Sequence, residues 1–181
     1  MNNNQATTLT QALQSLADAI NQQNQNKNAN PTLIRDLFAS GRALNLGSRS
    51  GMDAFSEMSK PLPQTWDGNT ASFPTFVINL RLRVIKAKWN ATGASGILTV
   101  DGKNIFTSYH SITKEKIELA RTNCTDDRAL QNSKALYQCL ESSISGALKT
   151  TTFSQTENIP EHEDGIGLFK AITNLTAVSS F

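Results

Sequence analysis

The side chains best equipped for chemistry are two cysteines, Cys124 and Cys139, two histidines, His110 and His162, and the acidic residues Glu161, Glu163 and Asp164 of "EHEDG". A zinc site needs paired Cys or His ligands at close spacing, and no second pair accompanies these thiols. A nucleophile needs a neighbouring base and a recognisable motif, and neither histidine lies in one. The acidic run fits neither a calcium loop nor a metalloprotease helix, so it reads as solvated charge. "GSRSG" lacks the Lys-Ser/Thr ending of a phosphate loop, and "GIGLF" lacks the third glycine and a preceding strand. The sequence therefore points away from an enzyme, and it implies no metal, no cofactor and no small-molecule substrate.

The elements that hold these residues are bounded by composition. A chain of 181 residues allows one ordinary domain plus a tail. Its hydrophobic content of 38% and charged content of 18% are both low, and Asn, Gln, Ser and Thr fill the gap, which predicts a folded core carrying polar segments. A net charge of +2 is too small to mark the whole chain as a nucleic-acid binder. Basic residues cluster early and acidic ones late, a polarity that would favour contact between copies, although solvated surface is the plainer reading. "MNNNQATT" has neither the basic nor the apolar region of a secretory signal, and no apolar run is long enough to span a bilayer. The expectation is a cytoplasmic protein with no membrane partner, reduced thiols and unused sequons at Asn90, Asn123 and Asn174. The chain stops at Phe181 without a polar tail, which suggests a truncated product.

Leu9, Leu13, Leu16 and Ile20 recur at helical spacing, and Thr8 with Gln11 forms a capping-box signature. "NQQNQNKNAN" reads as a polar linker. Asn30 before Pro31 opens a second short helix that Gly41 stops, and Met52, Phe55 and Met58 predict another turn or two. Residues 1–60 are thus expected to be a flexible, partly disordered arm with short amphipathic helices, and residues 61–181 a compact helical domain. Within that domain, Ser72 caps a helix running to about Trp89. Asp101-Gly102 between β-prone runs predicts a small hairpin. Thr113 starts another helix, and Thr125 caps a long one over 125–148 with the stripe Leu130, Tyr137, Leu140, Ile144 and Leu148. A last helix from about Gly165 uses Leu168, Phe169, Ile172 and Leu175. The fold class is mainly α, a small helical bundle with one short inserted β-hairpin.

The most informative segment is "PLPQTWDGNTASFPTFVINLRLRVIKAKWN", residues 61–90. At roughly one hundred degrees per residue, Phe73, Phe76, Val77, Leu80, Val84 and Ala87 share one side of the helix. Ile78, Leu82, Ile85 and Trp89 share the opposite side. Arg81 and Lys88 lie in one seam, Arg83 and Lys86 in the other. One reading makes this the central helix of a bundle, covered on both sides by the helices at 113–122 and 125–148. The other leaves the stripe Ile78, Leu82, Ile85 and Trp89 for a second subunit, making these four the candidate assembly interface of a homo-oligomer. Arg81, Arg83, Lys86 and Lys88 are candidate phosphate contacts, with RNA as the partner, although they point in two directions.

"PLPQTWDGNTASFPTFVINLRLRVIKAKW" resembles the opening of the Gag-like capsid region of copia-type LTR retrotransposons, where a Trp/Phe-Asp-Gly turn precedes a helix with spaced aromatic and aliphatic residues. "NSKALYQCLESSISGALKTTTF" followed by "EDGIGLFKAITNLT" is similar to that family's later helix, polar loop and second helix. The resemblance covers residues 60–180. It departs from the family at Leu168-Phe169, where a Trp-containing motif is common, and at the Asp101-Gly102 hairpin, and no zinc knuckle follows. It implies a capsid-like, non-enzymatic retroelement protein that self-assembles into a shell around element RNA. A nucleic-acid-binding helical module and a generic helical interaction domain are the alternatives.

Overall fold

A computed structural model describes residues 3–25, 30–91, 96–100, 103–105, 112–154 and 159–178. The chain is mainly helical. Helix α1 spans Asn3–Gln25, α2 Pro31–Ala39, α3 Arg49–Ser59 and α4 Phe73–Lys86, the last entered through a 3₁₀ turn at Thr70–Ser72. Two-residue strands β1 (Thr99–Val100) and β2 (Lys103–Asn104) pair antiparallel, with Thr99 opposite Asn104. The expected Asp101-Gly102 turn between them lies outside the described residues. The remaining helices are α5 (Lys114–Thr122), α6 (Asp127–Glu141), α7 (Gly146–Ser154), α8 (Ile159–His162) and α9 (Gly165–Val178).

The first helix is longer than its apolar stripe requires. It starts at Asn3, so Thr8 sits inside it rather than at its cap, and it runs through the first half of the segment read as linker. Asn30 does cap α2, its side chain accepting from the Thr32 amide at 3.0 Å, and Gly41 then takes a φ of 66° that no β-carbon favours. Ser48 caps α3, which spans three turns rather than one or two, with its side chain accepting from the Gly51 amide at 3.1 Å.

Helix α6 lies at the centre, packed against α3 on one side and α9 on another, while α5 and α7 lean on α9. The core does not begin at residue 60. Phe38, Leu44, Ala54 and Met58 belong to the same buried cluster as Leu136, Leu140, Ile166 and Phe169. Two side chains of α6 explain the attachment. Gln131 accepts from the Leu44 amide at 2.7 Å and donates to the Leu44 carbonyl at 3.0 Å, while Arg128 donates to the Arg42 carbonyl at 2.9 Å. These bonds satisfy loop backbone that would otherwise be stranded at the core edge.

The long helix expected over 125–148 is two helices. Asp126, not Thr125, provides the cap, accepting from the Arg128 and Ala129 amides. Ser142, Ser143 and Ser145 with Gly146 then break the run, because serine hydroxyls compete for backbone groups and glycine is a poor helix former. Ser143 Oγ bonds the Cys139 carbonyl behind it and accepts from the Leu62 amide at 2.7 Å. Trp66 stabilises the break. Its amide donates to the Ser143 carbonyl at 2.8 Å and its carbonyl accepts from the Ser145 amide at 2.9 Å. The indole packs on Phe73 and Phe76, with ring centroids 4.9 and 5.5 Å away. Leu130, expected on the buried stripe, is exposed; the inward face of α6 instead carries Ala129, Asn132, Ser133, Leu136 and Leu140. Helix α9 begins where Gly165 touches α6, since a β-carbon there would lie 2.2 Å from the Ser133 carbonyl oxygen.

Candidate assembly surface

Helix α4 carries the two opposed stripes read from the sequence, and the fold treats them differently. Phe73, Phe76, Val77, Leu80 and Val84 are buried, and so is Ala87 just beyond the helix. Ile78, Leu82 and Ile85 stand 56%, 61% and 43% exposed. No helix of the described chain covers them, so the reading in which α5 and α6 sandwich this helix does not hold within one chain. The entry to α4 also differs from expectation. Ser72 occupies the cap position without a capping bond, and Asn69 does the capping one turn earlier, accepting from the Ala71 amide at 2.9 Å.

Trp89 leaves the exposed stripe. The helix ends three residues short of it, at Lys86, because Lys88 adopts a left-handed φ of 60°. The Lys88 amide then donates to the Ile85 carbonyl at 3.3 Å and the Trp89 amide to the Val84 carbonyl at 3.0 Å. That pair of bonds is the Schellman closure of a helix, which needs a left-handed residue one place after the cap. The reversal swings Trp89 from the outer line into the core, where it is fully buried. Trp89 is therefore a core residue and not an assembly contact.

The four cations separate in the same way. Arg83 clamps the segment after α3, donating to the Met58 carbonyl at 2.8 Å and the Lys60 carbonyl at 2.6 Å. Lys86 pairs with Glu57, which also holds Lys60. Burial works to raise the Glu57 carboxyl, and the bonds from these two ammonium groups outweigh it, holding its pKa below the usual range. Arg83 and Lys86 are thus committed inside the chain. Arg81 and Lys88 are exposed and carry no ion pair among the described residues. Two isolated cations are a weak phosphate-binding surface.

The acidic segment is not simply solvated. Asp164 pairs with Arg121 at 2.6 Å and caps α9 by accepting from the Gly167 amide at 2.8 Å. Glu163 pairs with Lys134 and accepts from Gln138 at 3.1 Å. These bonds tie α5 and α6 to the start of α9. An open cleft of about 560 Å³ lies beside them, lined by Cys124, Gln131, Lys134 and His162 among others. Burial, with Asp164 and Asp126 adding to it, pushes the Cys124 thiol up to about 11, and burial does the same to Cys139. Both stay protonated at neutral pH and make poor nucleophiles. Among the described residues no group of His, Cys, Asp and Glu is placed to hold a metal ion, and no helix is long and apolar enough to cross a membrane. His110 lies outside the described residues.

A second apolar face emerges on α1, which sequence periodicity indicated without revealing its exposure. Leu9, Leu13 and Leu16 are each more than half exposed. Other exposed apolar residues, such as Leu46, Met52 and Leu130, fall singly on separate elements, as is ordinary.

Comparisons with known protein families, with curated proteins and with solved structures return no match.

Proposed function

We propose that this chain is a non-enzymatic structural protein whose copies self-associate through the outer face of α4, in the manner of a Gag-like capsid subunit of a retroelement. The observation that carries the reading is the row Ile78, Leu82 and Ile85, exposed on a helix whose other side is completely buried. Three large aliphatic residues in line have no stabilising role in a solitary chain, and contiguous apolar surface of this kind marks an interface. The resemblance of residues 60–180 to copia-type capsid regions supplies the kind of assembly: a shell enclosing element RNA in the cytoplasm. The nucleic-acid module reading is weakened because Arg83 and Lys86 are already engaged.

The test is the double substitution Ile78→Asp with Leu82→Asp, read by sedimentation velocity across a concentration series. Both sites are exposed, so the melting temperature should stay near that of the parent chain. The expected result is a parent that forms multimers and a variant that remains a single chain. Multimers that persist unchanged in the variant would remove the α4 face from the assembly.

A further inference from the structure

Two helices of this chain present bare apolar rows, and the rows match. On α1 the residues are Leu9, Leu13 and Leu16; on α4 they are Ile78, Leu82 and Ile85. Both have steps of four and then three residues, the spacing by which one helix seats its side chains between those of another at a shallow crossing angle. Resting on the self-association reading above, we propose that the occupant of the α4 face is α1 of a second copy, exchanged reciprocally between the two chains.

Charge favours this pairing over one of α4 with α4. On a helical wheel Arg81 lies along one edge of the α4 row, and Lys88 follows in the turn that closes the helix; both are exposed. Two α4 rows laid against each other would bring four cations to one contact, an arrangement that costs free energy wherever solvent is excluded. Helix α1 contains no Lys or Arg, and its one charged residue is Asp18, which accepts from Gln14 at 3.1 Å. Asp18 falls on the side of the wheel opposite the leucines, so the α1 row is edged by uncharged residues, Ala12 on one side and Ala17 on the other. A cationic row therefore meets a neutral one. Over their lengths α1 carries a single acid and α4 three bases with no acid, so the longer-range attraction has the same sign.

Size accounts for the reciprocity. Stable interfaces use about 20 residues or more from each side, and one row of three against three is far smaller. Exchange in both directions makes the contact twice and brings the facing surfaces beside each row into play, as a twofold-symmetric dimer does. Within its own chain α1 leaves its leucines more than half exposed, so its own fold does not cover them.

The experiment uses three full-length proteins: the parent, an α1 variant with Leu9, Leu13 and Leu16 each changed to Gln, and the Ile78→Asp, Leu82→Asp variant of α4. Glutamine keeps helix propensity, and circular dichroism checks that each variant folds. Sedimentation should show the parent associating and each variant alone as a single chain. An equimolar mixture of the two variants should recover a 1:1 complex, because it restores one intact contact, at a concentration tenfold or more above that of the parent. An α1 variant that associates like the parent would overturn the exchange while leaving the α4 face as an assembly surface. Two inert variants whose mixture is also inert would overturn it in favour of each row pairing with its own kind. A parent that stays single at every concentration would sink both this inference and the self-association it rests on.

Discussion

Helices α6 and α4 break the rule of amphipathic helices in opposite directions. The inward face of α6 buries Arg128, Asn132 and Ser133, and the outward face of α4 exposes Ile78, Leu82 and Ile85. On α6 most of these polar atoms find partners inside the chain, with Arg128 Nη2 the exception among the described residues. Arg128 Nε donates to Asn132 Oδ1 at 3.1 Å, its Nη1 reaches the Arg42 carbonyl, and Ser133 Oγ accepts from the Gly165 amide at 3.1 Å. Buried polar groups with partners hold distant segments in register, whereas the exposed apolar row of α4 has no cover among the described residues and is the surface assigned above to the proposed assembly. On the proposed reading, the difference separates residues that make the fold from residues that use it.

The sharpest way to break that distinction is to compare Trp89 and Leu82, which helical spacing puts on one stripe. Trp89→Ala removes a fully buried indole and should cost the folded chain about 3–5 kcal/mol, enough to unfold a marginal domain on heating. Leu82→Ala should leave chain stability within about 0.5 kcal/mol, as exposed substitutions do, and yet weaken association. Denaturant unfolding at a concentration too low for association measures the first, and sedimentation the second. Equal stability losses would mean that the α4 face is covered after all.

The different fates of Trp89 and Leu82 show what a sequence conceals. Helical spacing locates α2, α4, α5 and α9, and the caps Asn30 and Thr113 lie where the residue types put them. Spacing also separates the two faces of α4 correctly up to Ile85. It fails at the helix end, because the left-handed closing residue is a lysine and carries none of the signal that Gly41 gives after α2. It fails again over residues 31–59, read as arm. Their attachment depends on Arg128 and Gln131, more than eighty positions away, and no local pattern encodes such a pair. The serine-rich break after α6 is present in the letters, yet the Trp66 backbone that stabilises it is brought there only by the fold.

The α6 side of the comparison predicts a smaller loss. Arg128→Met keeps most of the apolar stem and removes the guanidinium, whose charge burial already disfavours. It also removes one hydrogen bond from the Arg42 carbonyl and one from Asn132 Oδ1, and losing a bond from a charged donor costs about 1.5–3 kcal/mol. The outcome is a net destabilisation, less than that of Trp89→Ala, accompanied by faster amide exchange in residues 41–47 once their tie to α6 is cut. Unchanged exchange there would show that Gln131 alone holds the loop. Association should be unaffected, since the change weakens the fold without touching the α4 row.

The smallest effect lies at the junction of the two faces. Lys88 occupies a left-handed conformation that costs an L-residue with a side chain about 1–2 kcal/mol, and glycine adopts it without that penalty. Lys88→Gly should therefore raise stability, by about 0.5–1 kcal/mol after glycine's extra freedom in the unfolded chain is subtracted. The same substitution removes one of the two exposed cations beside the outer row. If α4 rows met each other, losing that cation would relieve repulsion and tighten association markedly. If the row meets the uncharged edge of α1, association should change little and salt should matter less than before. A chain that becomes more stable while its self-association stays constant would place the lysine in the turn chemistry of the fold and the α4 row opposite a neutral partner.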